Sequence, residues 1–268
     1  MKVSVFGLDG KAGKSIELPK VFDSIVDANL IKRAVLSSQS KAKQPMGKYR
    51  RAGLDNTAVY IGYRGLPGGQ KSINTGKARL PRMKNRRQLM SGKVAGVSQA
   101  VGGHAAHPPK LEKVLAEEMN KKERRKALAS AIAATGKKEL VFSRAKTVES
   151  FPVVIENGFE KLAKTKEVVK VLQALKLLVE VTLAKEKRSA RAGKTARRTG
   201  HDKKRKSLLI VVGKKSAVQK GARNLEGVDV VEARNLSVEL LAPGANPGRL
   251  TVYTEDSLVE IAKLQGRS

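Results

Sequence analysis

A continuous apolar run, Ser207-Leu208-Leu209-Ile210-Val211-Val212-Gly213, lies in the C-terminal half of the chain. Five aliphatic residues in a row, with no polar residue between them, are typical of a β-strand that is buried on both faces. Such strands occur mainly in parallel sheets, because helices cover both faces of those sheets. Shorter apolar runs at 3–6, 152–155, 228–231 and 250–253 predict further strands of the same sheet.

Helical patterns alternate with these strands. Apolar residues recur at helical spacing after Asp27, Asn120, Thr165 and Thr254. Thr165 and Thr254 can cap the N-termini of their helices, and Asn120 with Glu123 matches the capping box. Because strands alternate with helices, we expect an α/β fold. The predicted architecture is a three-layer α/β/α body with a mainly parallel central sheet and a long irregular basic loop inserted after the first helix.

Two segments carry most of the positive charge of a 268-residue chain with a net charge of +31. Residues 41–110 hold 15 Lys/Arg against one acid, and residues 185–206 hold 11 against two acids. Residues 44–110 also contain 11 of the 24 glycines. Without aliphatic periodicity they cannot offset their ordering entropy by burying apolar surface. The predicted organisation is a single α/β body at 1–43 and 111–268, an extended Gly/Arg/Lys-rich loop at 44–110, and a second basic loop at 185–206 within the body.

Charge of this density repels itself, so a large polyanion is the expected partner. Glycine lets backbone amides approach phosphates closely, and the arginine fork binds two phosphate oxygens at once. The three tyrosines of the loop, Tyr49, Tyr60 and Tyr63, either stack on unpaired bases or pack at the base of the loop. The predicted RNA contacts are the basic side chains Lys48, Arg50, Arg51, Arg64, Lys71, Lys77, Arg79, Arg82, Lys84, Arg86, Arg87, Lys93, Arg191, Lys194, Arg197, Arg198, Lys203, Lys204 and Arg205.

Composition excludes several kinds of site. The chain has no cysteine, so it has no disulfide and no thiolate metal site. Aromatic residues make up 3% of the sequence, which predicts a core of aliphatic side chains. No apolar run approaches the roughly 18 residues of a membrane span, and the first six residues do not match a signal peptide. We expect a cytoplasmic protein with no membrane partner and no cofactor.

Three short motifs suggest an enzyme, and each lacks part of its pattern. Residues 7–15 resemble a phosphate-binding loop, but Leu8 stands where the pattern needs glycine and a strand-like run follows instead of a helix. Residues 193–195 lack a preceding buried strand. His104 and His107 have metal-ligand spacing, yet glycines and prolines flank them and no acid completes a site. A loop contact with backbone or RNA is favoured for these histidines, and no catalytic or metal site is predicted.

Four segments resemble the large-subunit ribosomal protein L-four family. Residues 28–39, ANLIKRAVLSSQ, look like the family's first helix, and residues 74–79, NTGKAR, resemble the core of its extended loop. Residues 103–110, GHAAHPPK, and 241–252, LAPGANPGRLTV, are similar to its archaeal and eukaryotic branch. The sequence ends soon after the last predicted helix, without the long basic tail of eukaryotic members, so it resembles the archaeal ones.

This resemblance implies a structural constituent of the large ribosomal subunit, with no enzymatic activity. The body would dock on large-subunit rRNA, and the basic loops would fold into rRNA crevices beside neighbouring ribosomal proteins. The family's long loop helps line the nascent-peptide exit tunnel, so the nascent polypeptide is a further expected partner. The part expected nearest the tunnel consists of Thr75, Gly76, Lys77, Ala78, Arg79, Leu80 and Pro81. Two alternatives stay open from the residues alone, a phosphate-handling α/β enzyme and a DNA-architectural protein.

Overall fold

The computed structural model describes residues 1–66, 71–84, 89–145 and 151–265, with side chains up to Lys263. Two compact units divide the chain, Met1–Ala42 with Ala116–Ser268, and Lys43–Leu115. The first is called the body and the second the loop unit. Two of the predicted RNA contacts, Arg86 and Arg87, lie outside the described residues.

The helices and strands of the described residues are few in the loop unit and dense in the body. The strands are β1 Lys2–Phe6, β2 Ala12–Glu17, β3 Ala58–Val59, β4 Arg82–Met83, β5 Val153–Ile155, β6 Ser189–Ala190, β7 Asp202–Lys203, β8 Leu209–Val212, β9 Asp229–Glu232 and β10 Thr251–Thr254. The α-helices are α1 Ala28–Lys41, α2 Lys121–Gly136, α3 Lys138–Phe142, α4 Thr165–Ala174, α5 Leu178–Glu186, α6 Gly193–Thr199, α7 Val218–Ala222, α8 Val238–Leu241 and α9 Glu255–Gln265.

One six-stranded sheet organises the body, in the order β2-β1-β5-β10-β8-β9. The edge strand β2 runs antiparallel to β1, and every other neighbouring pair is parallel. The apolar run at 207–213 forms β8, in which all four residues are buried. The predicted α/β fold with a mainly parallel sheet is therefore confirmed.

Helices cover both faces of this sheet. Val154, Tyr253 and Val211 lie in one row across β5, β10 and β8, and they belong to a core cluster that includes residues of α1, α2, α8 and α9. Their sequence neighbours, among them Ile155 and Ile210, belong to a second cluster with residues of α3, α4, α5 and α7. Because successive strand residues point to opposite faces, these continuous apolar strands hold the two helical layers against one sheet.

One arginine is buried at the start of β10. Arg249 is 2% exposed, and its guanidinium donates to four backbone carbonyls. Its Nε donates to Ser207 O at 3.0 Å, and its Nη1 donates to Leu240 O at 2.9 Å. Its Nη2 donates to Leu208 O at 2.8 Å and to Gly227 O at 3.1 Å. The side chain thereby joins the chain before β8, the chain before β9, α8 and β10.

A carboxylate balances the charge of this buried arginine. Arg249 Nη2 lies 2.8 Å from Asp229 Oδ2, and Lys206 Nζ donates to Asp229 Oδ1 at 2.8 Å. Burial alone would raise the pKa of Asp229, but the hydrogen bond from Lys206 and the charge of Arg249 outweigh it and hold the pKa below its usual value. The carboxylate therefore stays ionised beside the guanidinium near neutral pH.

Two helix starts follow the sequence closely. Asp27 precedes α1, and its side chain accepts hydrogen bonds from the amides of Asn29 and Leu30 at 2.9 and 3.1 Å. Thr254 precedes α9, and its Oγ1 accepts a hydrogen bond from Ser257 N at 3.3 Å. Both are N-caps that satisfy amides left without partners in the first helical turn.

Two other predicted caps are wrong. Asn120 is the residue before α2, but its side chain makes no capping hydrogen bond. The capping box fails because Glu123 Oε1 lies 3.4 Å from Arg33 Nη1 and pairs with α1 instead. Thr165 is the first residue of α4 rather than its cap, since the helix starts one residue earlier than expected, after Lys164.

We expect Arg249→Met to lower the free energy of unfolding of the body by about 3–5 kcal/mol, because it removes the buried cation beside Asp229 and takes one donor from each of four backbone carbonyls. Chemical denaturation followed by circular dichroism measures this change. Arg234→Met is the matched control, since the side chain of Arg234 is 67% exposed and its one ion pair among the described residues is with Glu260. Equal, small effects of the two substitutions would contradict the role assigned to Arg249.

Deletion of residues 60–95 should leave a cooperatively folding body. Neither core cluster contains a described residue of the loop unit, although Ile73 is buried within that unit. The thermal transition of the deletion variant should therefore keep its cooperativity and nearly its midpoint. Loss of the transition would show that the predicted division into body and loop is wrong.

Candidate nucleic-acid interface

The two ends of the loop unit run side by side. Lys48 N donates a hydrogen bond to Pro109 O at 3.3 Å. Gly53 has a left-handed φ of +85°, and a Cβ at this position would lie 2.4 Å from the carbonyl carbon of Gly103. Only glycine allows this close approach of two backbones. The contact brings the chain back on itself at the base of the unit.

A short hairpin lies further along the loop unit. Ala58 and Val59 of β3 pair with Met83 and Arg82 of β4. On the other side of β4, Met83 N donates to Lys93 O at 3.0 Å. The loop that was predicted to be irregular thus contains a small hydrogen-bonded centre of three chain segments.

Arg82 connects this centre to the segment that the family resemblance places nearest the tunnel. Its Nη1 donates to Gly92 O at 2.9 Å, and its Nη2 donates to Ala78 O at 3.0 Å. Arg82 was predicted as an RNA contact, and in the structure its guanidinium is occupied by protein carbonyls. Arg82 thus links the segment Thr75–Pro81 to the chain at Gly92 and stabilises its shape.

That segment presents its basic residues to solvent. Gly76, Lys77, Ala78 and Arg79 are exposed. Gly76 has a left-handed φ of +71°, which supports a sharp change of direction before Lys77. Two cations therefore lie on an exposed turn whose shape is held from behind.

Most described basic side chains of the loop unit have no protein partner. Arg51 is exposed and has a partner, since its Nε pairs with Asp55 Oδ1 at 2.8 Å. Among the residues that the structure describes there, those whose side chains make no hydrogen bond or ion pair are Lys48, Arg50, Arg64, Lys71, Lys77, Arg79 and Lys93. Lys84 is exposed and has an interaction within the chain.

The tyrosines of the loop unit are exposed. Tyr49, Tyr60 and Tyr63 keep 67%, 48% and 69% of their surface accessible. Of the two interpretations left open by the sequence, packing at the base of the loop does not describe them. Their rings are available for stacking on unpaired bases.

The second basic segment, 185–206, contains regular structure. It carries the antiparallel pair β6–β7, with Ser189 opposite Lys203, and α6 between the two strands. Arg188 pairs with Asp202, and this hydrogen bond lowers the pKa of Asp202 below its usual value. The segment that was predicted as a second basic loop is therefore a short antiparallel ribbon with α6 between its two strands.

The predicted contacts of this ribbon fall into two groups. Arg191 Nη1 donates to Thr199 O at 2.8 Å, and Arg205 Nη2 donates to Arg144 O at 2.8 Å and pairs with Glu180 at 3.3 Å. Both arginines thus stabilise the fold. The exposed side chains without a protein partner in the described part of the chain are Lys194, Arg197, Arg198, Lys203 and Lys204.

The start of α2 carries a basic patch that the sequence analysis missed. Five cations lie within six residues, and all five are exposed and have no side-chain partner among the described residues. They are Lys121, Lys122, Arg124, Arg125 and Lys126. The one acid between them, Glu123, is neutralised by Arg33. The density of charge at 121–126 was the signal available in the sequence.

The segment that resembled a phosphate-binding loop is a β-hairpin. Gly7 N donates to Lys11 O at 3.0 Å, and Ser15 of β2 pairs with Ser4 of β1. Because Lys14 lies in a strand, no helix N-terminus is present to hold a phosphate. His104 Nδ1 lies 3.1 Å from Gly96 O, a contact with backbone as predicted. In the described part of the chain no group of three metal-ligating side chains is found.

The carboxyl ends of the parallel strands are also closed. In open α/β sheets this edge is where ligands bind. Here Glu160 Oε1 accepts hydrogen bonds from Gly213 N at 2.8 Å and from Thr254 Oγ1 at 2.7 Å. A carboxylate of the chain itself therefore occupies the crevice between β8 and β10.

Comparison with known proteins agrees with this non-catalytic geometry. The family model described as ribosomal protein L4/L1 family matches residues 16–264. The chain belongs to this family. A protein of Methanospirillum hungatei named large ribosomal subunit protein uL4 is 47% identical over 96% of this chain and 97% of its own length. Proteins with the same name from Archaeoglobus fulgidus and Methanococcus maripaludis strain C6 are each 45% identical, over 96% and 100% of this chain and 97% and 100% of their own lengths.

Membership of the L4/L1 family confirms the resemblance predicted from four segments, including its archaeal character. The relatives are named as ribosomal proteins and not as enzymes, which agrees with the prediction of no enzymatic activity. Among the described helices, none is long and apolar enough to cross a bilayer.

We expect no detectable binding of ATP or GTP, either by the chain with Lys14 or by the Lys14→Ala variant, because Lys14 lies in the β1–β2 hairpin. Equilibrium dialysis with labelled nucleotide measures this. Nucleotide binding that the substitution abolishes would restore the enzyme hypothesis.

Proposed function

We propose that this protein is a structural constituent of the large ribosomal subunit that binds large-subunit rRNA in the cytoplasm. The loop unit and the ribbon at 185–206 make the principal contacts, and the body holds them in place beside neighbouring ribosomal proteins. The segment Thr75–Pro81 reaches the wall of the nascent-peptide exit tunnel, so the nascent polypeptide passes beside it.

The observation that carries this proposal is the surplus of exposed cations without protein partners. Their charges repel one another, and this cost is removed when phosphates replace water around them. The segments contain few acids, and Asp55 and Asp202 are already paired with Arg51 and Arg188. The counter-charge must therefore come from another molecule, and relatives of the L4/L1 family are named as proteins of the large ribosomal subunit.

Exposed tyrosines favour RNA over duplex DNA. Single-stranded loops of RNA offer unstacked bases, and aromatic side chains bind them by stacking. A duplex presents only the edges of its bases, so exposed rings such as Tyr49 and Tyr63 would find no face to stack on. The loop unit and the ribbon at 185–206 would also need a shaped target with crevices, which folded rRNA provides.

The affinity for a large-subunit rRNA fragment should fall steeply as the salt concentration rises. Deletion of residues 60–95 should reduce the slope of log affinity against log salt concentration by several units. Each phosphate contact contributes roughly 0.7–0.9 to the log–log slope, and the deletion removes nine Lys/Arg. Filter binding between low and physiological salt measures the slope.

A matched variant separates the two basic segments. Arg197→Ala with Arg198→Ala removes two exposed cations of α6 and should reduce the slope by about one or two units. A slope that neither variant changes, or equal affinity for duplex DNA of the same length, would contradict the proposal. Co-sedimentation of the full chain with large subunits after a high-salt wash tests its place in the subunit directly.

A further inference from the structure

A groove on the body lies between α1, α2 and α8. It encloses a cavity of about 430 Å³. Its floor consists of the aliphatic side chains Ala34, Leu128, Leu236 and Val238. No aromatic residue lines it among the residues that the structure describes.

Cations surround this aliphatic floor. Lys41 at the end of α1 and Arg124 and Arg125 at the start of α2 line the groove, and all three are exposed. Within the described residues their side chains have no hydrogen bond or ion pair. The single acid of the lining, Glu239, accepts hydrogen bonds from Ser38 and Gln39 at 3.3 and 3.2 Å. The lining of the apolar floor thus carries three cations and one carboxylate, which leaves a net charge of 3 − 1 = +2.

The groove is held in shape by contacts behind it. Ser37 Oγ donates to Glu117 O at 2.6 Å, and Glu117 N donates to Ser40 Oγ at 2.8 Å. These bonds fix α1 to the chain that leads into α2, and the pair between Arg33 and Glu123 adds a second link. A preformed groove binds at a lower entropic cost than one that must first be ordered.

We infer that this groove is the docking site of a neighbouring protein, and that the bound segment presents aliphatic side chains flanked by carboxylates. The inference rests on the proposed function, because the neighbour would be another protein of the large subunit. An amphipathic segment that lays its apolar face into a groove is a common recognition mode. The carboxylates follow from charge complementarity with Lys41, Arg124 and Arg125.

RNA fits this surface less well than the basic segments. Proteins hold unpaired bases chiefly by stacking on aromatic rings, and the groove offers an aliphatic floor instead. Phosphates could pair with the rim cations, but they would leave the apolar floor exposed to water. A protein segment satisfies both the floor and the rim.

The chain contains no cysteine, so an introduced cysteine is its single attachment site for a thiol-reactive crosslinker. Ser237→Cys places a thiol in the groove lining, where it can carry a benzophenone crosslinker. We expect irradiation of large subunits that contain this labelled chain to join it to one protein, at a peptide with aliphatic residues beside Asp or Glu. A crosslink to rRNA, a crosslinked peptide without acids, or no crosslink would overturn the inference.

Charge reversal provides the quantitative test. Arg124→Glu with Arg125→Glu, added to Ser237→Cys, should lower the crosslinking yield by about tenfold or more. Lys166→Glu with Lys170→Glu is the matched control, because both residues are exposed on α4, which packs on the other face of the sheet. Equal yields for the two charge-reversed chains would overturn the charge complementarity.

A second cysteine separates this inference from the proposed function. Ala78→Cys lies on the exposed turn of the loop unit and should crosslink to rRNA in the same subunits. If the Ala78→Cys chain crosslinks to rRNA while the Ser237→Cys chain crosslinks to no protein, the docking site is contradicted and the proposed function is not. If the chain is absent from large subunits altogether, the proposed function fails with it.

Discussion

Burial of the Arg249 guanidinium is the constraint on which the arrangement of the central strands depends. A strand that is apolar along its whole length carries little information about register, because a slip of two residues keeps every side chain on its own face. Arg249 removes this ambiguity at the starts of three neighbouring strands. Ser207 and Leu208 lead into β8, Asp229 begins β9, and all three contact the one guanidinium. A slipped sheet would leave that charge buried without partners, which costs several kcal/mol.

Arginine serves two purposes in the basic segments, and the structure separates them. Arg82, Arg191 and Arg205 direct their planar forks at backbone carbonyls and hold turns in shape. Most of the other described cations of these segments, such as Lys77, Arg79 and Lys194, are exposed and have no side-chain partner among the described residues. This division suits the chemistry of the two side chains, since the rigid fork of arginine can satisfy several acceptors while lysine acts as a mobile point charge. Positive charge thus both builds the interface and supplies its affinity.

The sequence predicted those features that depend on local patterns. The apolar run at 207–213 identified the central strand, and Thr254 identified the start of α9. The role of Arg249 could not be predicted, because its partners lie up to 42 residues away and come together only in the folded sheet. The capping box at Asn120 failed for a related reason, since Glu123 found a partner 90 residues away on α1. The density of charge along the sequence indicated the two basic segments. It could not distinguish the arginines that bind backbone carbonyls from the cations that face solvent.

The closed crevice at Glu160 bears on how such a body relates to catalytic α/β proteins. The donors that a phosphate would need are present, since the amide of Gly213 and the hydroxyl of Thr254 both face the crevice. One carboxylate of the same chain satisfies them, as a bound anion would. The closure of this crevice is therefore a property of a single side chain and not of the sheet. An ancestral or engineered chain with a short apolar residue at position 160 would retain the same sheet and expose a vacant anion hole.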